Sequence, residues 1–306
     1  SEALVLTDSL NASFLAGEAS ADSFVTGMAT LIDHPYWDVA EAAMDHLEKN
    51  VLNILKAEEM ELVYPGLQNM VKTRYEQLAD AEDEASKLLR KRMQRFLIVV
   101  ARDQALRRPL AEQAAARIGL NGAADPSAIP VDQTETALSV GVQDLGEPFF
   151  DRLLELTIAS EDPQFRAAAT GALARVEDPA LVARLQDAVM AQSFKGTEAL
   201  GIVFRQMVRP ATTELTYQWI VDNQDQVMEM IPESFRSRVV PGLGGSFCSV
   251  DRADEWEAFV LKHADKLPGY ERSLAQSMES VRLCAGLKEA KGAELLAAIE
   301  TYGQAR

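Results

Sequence analysis

Apolar residues recur at intervals of three and four positions along almost the whole chain. In the segment 82–104, for example, Leu89, Met93, Phe96 and Val100 fall on one face of a helix. No stretch shows the sustained alternation of apolar and polar residues between hairpin turns that a half-buried strand would show. The pattern therefore predicts an all-α protein of about a dozen helices.

From residue 134 onward the predicted helices become short and evenly spaced, and two of them begin in the same way. Asp162 precedes Pro163 and Asp178 precedes Pro179, so each aspartate can cap a helix whose first residue is proline. This recurrence resembles a HEAT-type repeat, whose helix pairs bury their apolar faces only by stacking on one another. The predicted helices here cover 134–142, 148–158, 163–175, 179–192, 197–207, 213–230, 232–240, 251–263, 269–288 and 292–302.

These features predict a superhelical stack of antiparallel helix pairs, a HEAT/ARM-like α-solenoid, that forms one helical domain over residues 1–306. The segment 121–130 is rich in Gly, Ala, Asp and Pro and is predicted to be an ordered loop. The segment 241–246 is a glycine cluster between two predicted helices. It is predicted to be a turn, because a dinucleotide-binding loop would follow a strand.

The chain is strongly acidic, with 30 Lys plus Arg against 47 Asp plus Glu and a net charge of -17. Such a charge repels polyanions and concentrates cationic ligands, so nucleic acid is excluded as a partner. No apolar run approaches the roughly 18 residues that a membrane span needs, and no membrane partner is expected. The chain is expected to be soluble, in the cytoplasm or the periplasm.

The metal-binding residue types do not form any familiar pattern. The three histidines, His34, His46 and His263, belong to no HExxH pair, and lone histidines of this kind are expected at the surface or at helix ends. Cys248 and Cys284 lie far apart without a CxxC motif, which predicts ordinary core residues rather than a disulfide or a metal site. We therefore expect no metal or other cofactor in this chain, and no catalytic residue.

Two further groups of side chains are interpreted as structural. The basic face of the helix 82–104, which includes Arg92, is predicted to be solvated and paired with the carboxylates of Glu82, Asp83 and Glu84. A set of aromatic residues at helical spacings is predicted to pack in the core rather than to form a ligand cage. This set comprises Tyr217, Trp219, Phe235, Phe247, Trp256 and Phe259.

The order of several degenerate motifs along nearly the whole chain resembles the C-terminal helical domain of aminopeptidase N-type and endoplasmic-reticulum-aminopeptidase-like zinc peptidases. The opening helix and turn LVLTDSLNASFLAGEAS (4–20) is similar to the first helix of that domain. The motifs GEPFFDRLL (146–154), SEDP (160–163), DPALV (178–182) and EALGIVF (198–204) follow in the family's order. The segments WIVDN (219–223), FCS (247–249) and ERSL (271–274) resemble its closing helices.

This resemblance implies a non-catalytic domain that forms a curved bowl, closes the active-site chamber over zinc and contacts the distal part of peptides during removal of N-terminal amino acids. The family's Gly-Ala-Met-Glu-Asn and HExxH motifs are absent from the sequence. The resemblance therefore implies that the zinc and the metallopeptidase activity belong to an N-terminal catalytic domain, the expected partner of this chain. By itself the chain is expected to be inactive. Its start at Ser1, inside an amphipathic pattern, is what an excised domain would show.

Four arginines on otherwise acidic helices are the candidate substrate-binding residues: Arg205, Arg236, Arg272 and Arg282. A guanidinium group can bind the C-terminal carboxylate of a peptide through two hydrogen bonds, while surface salt bridges are the alternative for each. A free-standing HEAT-like scaffold that binds partner proteins along one face is the alternative function. An enzyme with an unrecognised carboxylate site is a third hypothesis, for which the sequence shows no constellation of residues.

Overall fold

The computed structural model describes residues 2–304, so Ser1, Ala305 and Arg306 lie outside the described part of the chain. Within that part, the regular structure consists of sixteen α-helices and three short 3-10 turns, without a strand. The all-α prediction is therefore confirmed. The chain divides into unit 1 (Ser1–Leu106 and Leu283–Arg306) and unit 2 (Arg107–Arg282). The solenoid and the single domain over 1–306 remain predictions.

Unit 1 contains five helices and the end of the last helix of the chain. These are α1 (Glu2–Leu15), α2 (Ala21–Ile32), α3 (Trp37–Ile54), α4 (Ala57–Gln77), α5 (Glu84–Val99) and the second part of α16 (Glu271–Gln304). Each of the first three helices packs against the second helix after it in the chain: α1 on α3, α2 on α4 and α3 on α5. The apolar stripes therefore share one core, in which Phe14 and Phe24 stack with their ring centroids 4.3 Å apart.

Helix α4 and the end of α16 approach each other closely enough to require glycine. A Cβ atom on Gly66 would lie 2.1 Å from the backbone oxygen of Ile299, a distance at which atoms overlap. Asn69 on α4 donates its side-chain amide to the backbone oxygens of Tyr302 and Gly303, at 3.3 and 3.2 Å. The two helices are thus joined by backbone contact and not only by side chains.

Unit 2 contains the remaining helices. They are α6 (Gln104–Ile118), which begins in unit 1, then α7 (Thr134–Asp144), α8 (Gly146–Ala159), α9 (Pro163–Leu173), α10 (Pro179–Met190), α11 (Gly196–Met207), α12 (Thr213–Asp222), α13 (Gln224–Met230), α14 (Glu233–Leu243), α15 (Val250–Lys262) and the first part of α16. Helix α7 packs along α9, α9 on α11, α10 on α12 and α11 on α13. The loop predicted at 121–130 is present.

The helix starts with the clearest sequence signals are confirmed. Asp162 accepts a hydrogen bond from the backbone N–H of Gln164 at 2.9 Å, and Asp178 accepts one from Ala180 at 2.9 Å. Each aspartate therefore caps a helix that begins with proline, as the sequence predicts. Both helices begin at the predicted residue because capping depends only on neighbours in the sequence.

The predicted helix 82–104 is wrong at its end. Helix α5 stops at Val99, Arg102 takes the left-handed backbone conformation at a φ of 51°, and Asp103 starts a new helix. The carboxylate of Asp103 accepts the backbone N–H of Ala105 at 2.9 Å and pairs with Lys72 at 2.8 Å. Asp103 is thus a buried N-cap, and the stripe of apolar residues around it does not show the break.

Two other boundaries also differ from the prediction. The predicted helix 213–230 is two helices, because the side chain of Asn223 donates to the backbone oxygen of Trp219 at 2.9 Å and ends α12. The predicted helices 269–288 and 292–302 are instead one, α16. Gly292 does not interrupt it, since the buried positions Leu287 and Leu295 continue one apolar stripe across the glycine.

The prediction for the two cysteines is wrong. Neither Cys248 nor Cys284 is a free thiol, and both are disulfide-bonded. Each is also partly exposed rather than fully buried in the core. Separation in sequence does not decide whether a disulfide forms, because the requirement is on the distance between the two Cα atoms in the folded chain.

The contact between α4 and α16 predicts the effect of adding one methyl group. Replacing Gly66 with alanine is expected to lower the free energy of unfolding by about 2–3 kcal/mol, since the obstacle is backbone and cannot rotate away. Gly286→Ala, on the same long helix, is the matched control. A Cβ there meets nothing within 4 Å, so this change is expected to raise stability by up to about 1 kcal/mol.

Chemical denaturation of the two variants and the unmodified chain measures both effects. Equal stability of Gly66→Ala and Gly286→Ala would show that α4 and α16 are not in backbone contact.

Candidate functional site

The four predicted arginines lie on three helices of unit 2: Arg205 on α11, Arg236 on α14, and Arg272 and Arg282 on α16. Ten positions separate Arg272 from Arg282, which corresponds to about 15 Å along a helix axis. The backbone positions of these two residues on α16 are therefore far apart. The prediction that the arginines bind a peptide carboxylate remains a prediction.

Two of the four guanidinium groups are engaged with carboxylates of the chain. Arg205 pairs with Glu135 on α7 at 2.7 Å. Arg282 lies between Glu257 and Asp254 on α15, at 2.6 and 2.9 Å, and the hydrogen bond that it donates to Glu257 is the largest cause that raises the pKa of Arg282. All these side chains are more than a third exposed, so solvent screens the pairs. A peptide carboxylate would have to displace an internal partner at either residue.

The other two arginines are less constrained. Arg236 is partly buried, and its Nε donates to the backbone oxygen of Ile231 at 2.9 Å. Arg272 is exposed in the first turn of α16 and has no hydrogen-bond or ion-pair partner within residues 2–304. Of the four, Arg272 is therefore the guanidinium that is most open to a ligand.

The most highly organised charged group was not among the predicted residues. Arg166, on α9, is 5% exposed, and its Nε and Nη2 bind the two carboxylate oxygens of Glu198 at 2.9 and 2.6 Å. Its Nη1 donates to the backbone oxygens of Thr157 and Ser160, at 2.6 and 3.1 Å. One side chain thus joins the end of α8 to the start of α11.

Glu198 is held on both sides. It also accepts the backbone N–H of Lys195, the residue before α11, at 2.9 Å. The hydrogen bonds that Arg166 donates to Glu198 are the largest cause of both pKa shifts: they hold the pKa of Glu198 below its ordinary value and raise the pKa of Arg166. Both groups are therefore charged at neutral pH.

A second buried arginine, Arg107 on α6, has a similar arrangement. Its Nε and Nη2 bind the carboxylate of Asp144 at 2.9 and 2.6 Å, and Nη2 also donates to Gln143 at 3.0 Å. The amide of Gln143 in turn donates to Glu177 at 3.1 Å. Arg107 and Arg166 therefore hold helices together, and neither presents a free guanidinium to a ligand.

The sequence did contain a signal for these two residues. Arg166 precedes the buried positions Ala169, Thr170 and Leu173 at spacings of three, four and seven. Arg107 has the same relation to Leu110, Ala111 and Ala114. A charged residue in the apolar stripe of an amphipathic helix must find a partner when the stripe is buried.

The aromatic prediction is confirmed for most of its residues. Tyr217, Phe247, Trp256 and Phe259 form one core, in which the rings of Trp256 and Phe259 stack at 4.8 Å. Gly244 lies against this core, since a Cβ there would be 2.1 Å from the ring of Trp256. Trp219 packs against the same core, whereas the prediction for Phe235 is wrong because this side chain is 57% exposed.

The basic face of α5 pairs differently from the prediction. Lys87 does pair with Glu84, at 3.0 Å, but Arg92 pairs with Asp45 and Glu48 of the neighbouring helix α3. Its partners therefore come from a different helix, and the side chain of Arg92 is only 13% exposed rather than solvated.

The histidines lie apart from one another in the chain, and each has its own local role. His263 ends α15 as predicted for a helix-end residue, but it is buried, with Nε2 2.8 Å from the side-chain oxygen of Gln224. Burial, the largest cause, lowers the pKa of His263. His46 pairs with Asp8 at 3.0 Å. Within residues 2–304, no group of three or more His, Cys, Asp or Glu side chains is arranged to hold a metal ion.

Two comparisons bear on what this arrangement is for. The family profile of the ERAP1-like C-terminal domain matches residues 1–283. No curated protein matches the chain. In the part of the chain that the structure describes, no helix has both the length and the apolar character needed to cross a lipid bilayer.

The Arg166–Glu198 pair predicts a pH-dependent contribution to stability. At neutral pH, Glu198→Gln is expected to lower the free energy of unfolding by about 2–3 kcal/mol, because Arg166 loses its charged partner while buried. The folded-state pKa of Glu198 lies below the unfolded value of about 4.3, so this contribution is full above that pH. It is lost as the pH falls through the folded-state pKa, and the difference between the two proteins shrinks.

Glu155→Gln is the matched control, since it breaks the exposed pair with Arg152 and should cost no more than about 0.5 kcal/mol. Urea denaturation between pH 7 and acid conditions measures both variants. A difference for Glu198→Gln that stays constant with pH, or equals that of the control, would contradict the assignment.

Proposed function

Because the chain belongs to the ERAP1-like C-terminal domain family, we propose that it is the non-catalytic C-terminal domain of a zinc aminopeptidase. The observation that carries this proposal is the family match over residues 1–283, nearly the whole chain. It agrees with the resemblance seen in the order of the sequence motifs. In this proposal, the zinc and the peptide-bond chemistry belong to a separate N-terminal catalytic domain.

The role that we propose for the chain is to close the active-site chamber and to contact the distal part of the peptide. Closure by a moving wall requires that the wall keep its shape while it moves. The buried pairs Arg166–Glu198 and Arg107–Asp144 support this role, because each fixes helices of unit 2 to one another through several hydrogen bonds. They would allow unit 2 to move as one body.

The charges of the chain support a contact with peptides. A peptide carries a positive amino terminus, which a net charge of -17 attracts, and a negative C-terminal carboxylate, which that charge repels. An exposed guanidinium without an internal partner would offset the repulsion locally. Arg272 has this property among the four candidate arginines, and it is our choice for the residue that receives the carboxylate.

The first test of the proposal is the activity of the chain alone. The chain is expected to leave aminoacyl fluorogenic substrates intact and to bind no stoichiometric zinc, because its sequence contains no HExxH. Fluorimetry and metal analysis of the purified chain measure both properties. Hydrolysis that a chelator abolishes would overturn the proposal.

The second test concerns Arg272 and uses a pair of peptides that differ only in a free or an amidated C-terminus. Arg272→Ala is expected to weaken binding of the free-acid peptide by about 5-fold and to leave binding of the amidated peptide unchanged. Fluorescence anisotropy of labelled peptides measures the four dissociation constants.

Arg238→Ala is the matched control, since Arg238 is also exposed and has no partner in the described residues. Equal weakening by the two variants would mean that general electrostatic attraction, and not a site at Arg272, holds the peptide.

A further inference from the structure

A cavity of about 570 Å³ lies in unit 2, between the end of α10, the start of α11 and α13. Its floor is apolar and is formed by the buried side chains of Val189, Phe194 and Ala199. Two partly exposed methionines, Met190 and Met230, add to the apolar part of the lining. The volume is typical of sites for small ligands. Methionine walls can adapt to the shape of an occupant, because the side chain is unbranched and flexible.

The polar part of the lining carries a single negative charge and no positive charge. Gln192, Gln226 and Glu229 line the cavity and are exposed, and among the described lining residues only Glu229 carries a charge. Glu229 has no ion-pair or hydrogen-bond partner within residues 2–304. The cavity therefore combines an apolar floor with a single free carboxylate and two primary amides.

The backbone at Gln192 is unusual for its residue type. Gln192 has a φ of 58°, in the left-handed region that glycine or asparagine normally occupies at the end of a helix. The turn is of the kind that commonly ends a helix, since Ser193 donates its backbone N–H to the backbone oxygen of Ala188 at 3.1 Å after the end of α10. The helix end thus explains the conformation but not the choice of glutamine. The side chain at this position places an amide on the cavity.

We propose that this cavity binds the lysine or arginine side chain of a peptide. The aliphatic stem of such a side chain packs on Phe194 and the two methionines, and its cationic head pairs with Glu229. The amides of Gln192 and Gln226 can bond the polar backbone of the same peptide. An anionic side chain would face Glu229 in a chain of net charge -17, and an apolar one would leave that carboxylate without a partner.

This inference rests on the proposed contact with peptides and deepens it, because it names the type of peptide side chain that a second site on the chain would take, and its test needs no catalytic domain. Its test therefore uses the full chain and a binding signal rather than hydrolysis. A failure here leaves the family assignment and the proposed role in the aminopeptidase unaffected.

The probes are N-acetyl-lysine methylamide and N-acetyl-norleucine methylamide, which share a stem and differ in the ammonium group. The chain contains 10 methionines, whose methyl groups can be labelled with ¹³C and observed by NMR. Met190→Leu and Met230→Leu identify the two signals from the cavity. The lysine probe is expected to shift both signals saturably, and the norleucine probe is expected to bind more weakly.

The decisive variants change the carboxylate. Glu229→Gln is expected to weaken binding of the lysine probe by about 2- to 5-fold, as for an exposed ion pair, and to leave binding of the norleucine probe unchanged. Glu229→Lys should weaken the lysine probe further. Glu279→Gln is the matched control, because Glu279 is exposed on α16, has no partner in the described residues and does not line the cavity.

Three results would overturn the proposal. The first is no shift of either methionine signal up to the solubility limit of the lysine probe. The second is equal binding of the two probes, which would make the cavity a purely apolar site. The third is equal weakening by Glu229→Gln and Glu279→Gln, which would mean that the overall acidity of the chain, and not Glu229, attracts the cation.

Discussion

Each helix of this chain satisfies its own backbone hydrogen bonds, so side chains must supply most of the energy that joins one helix to the next. In each unit, several helices pack on the second helix after them in the chain as well as on the next one, as α1 does on α3 and α2, and α7 on α9 and α8. Because the stripe of one helix is covered by other helices, few of its positions are occupied by polar or charged residues. Where a charged residue occupies one, as at Arg166, it is surrounded by partners from two other helices.

The sequence predicted what depends on neighbouring residues. The helical class, the loop at 121–130 and the capped starts of α9 and α10 are all confirmed, because periodicity and capping are local. Helix boundaries were missed where they depend on a contact with residues that are distant in the sequence. Helix α5 ends at Val99, and Asp103 starts the next helix with Lys72 as its partner. Gly292 resembled a helix end, but the apolar stripe of α16 continues through it.

In the candidate site, too, the sequence predicts local features but not the contacts between helices. Arginines can be selected from sequence by their rarity on acidic helices, but their partners cannot, since Glu135 and Asp254 come from other helices. Only the structure separates the engaged Arg205 and Arg282 from the open Arg272. The cavity beside Glu229 was equally invisible in the sequence, because its lining comes from three helices that are brought together by folding.

The contact at Gly66 has a genetic consequence. Most tight contacts in a protein core can be relieved by a compensating change, in which one side chain becomes smaller as the other becomes larger. Here the opposing atom is the backbone oxygen of Ile299, which every amino acid carries. No substitution at position 299 can therefore remove it, and a suppressor of a larger residue at position 66 must shift a whole helix. Evolution along this lineage would be expected to change the surrounding side chains freely while leaving that one position fixed.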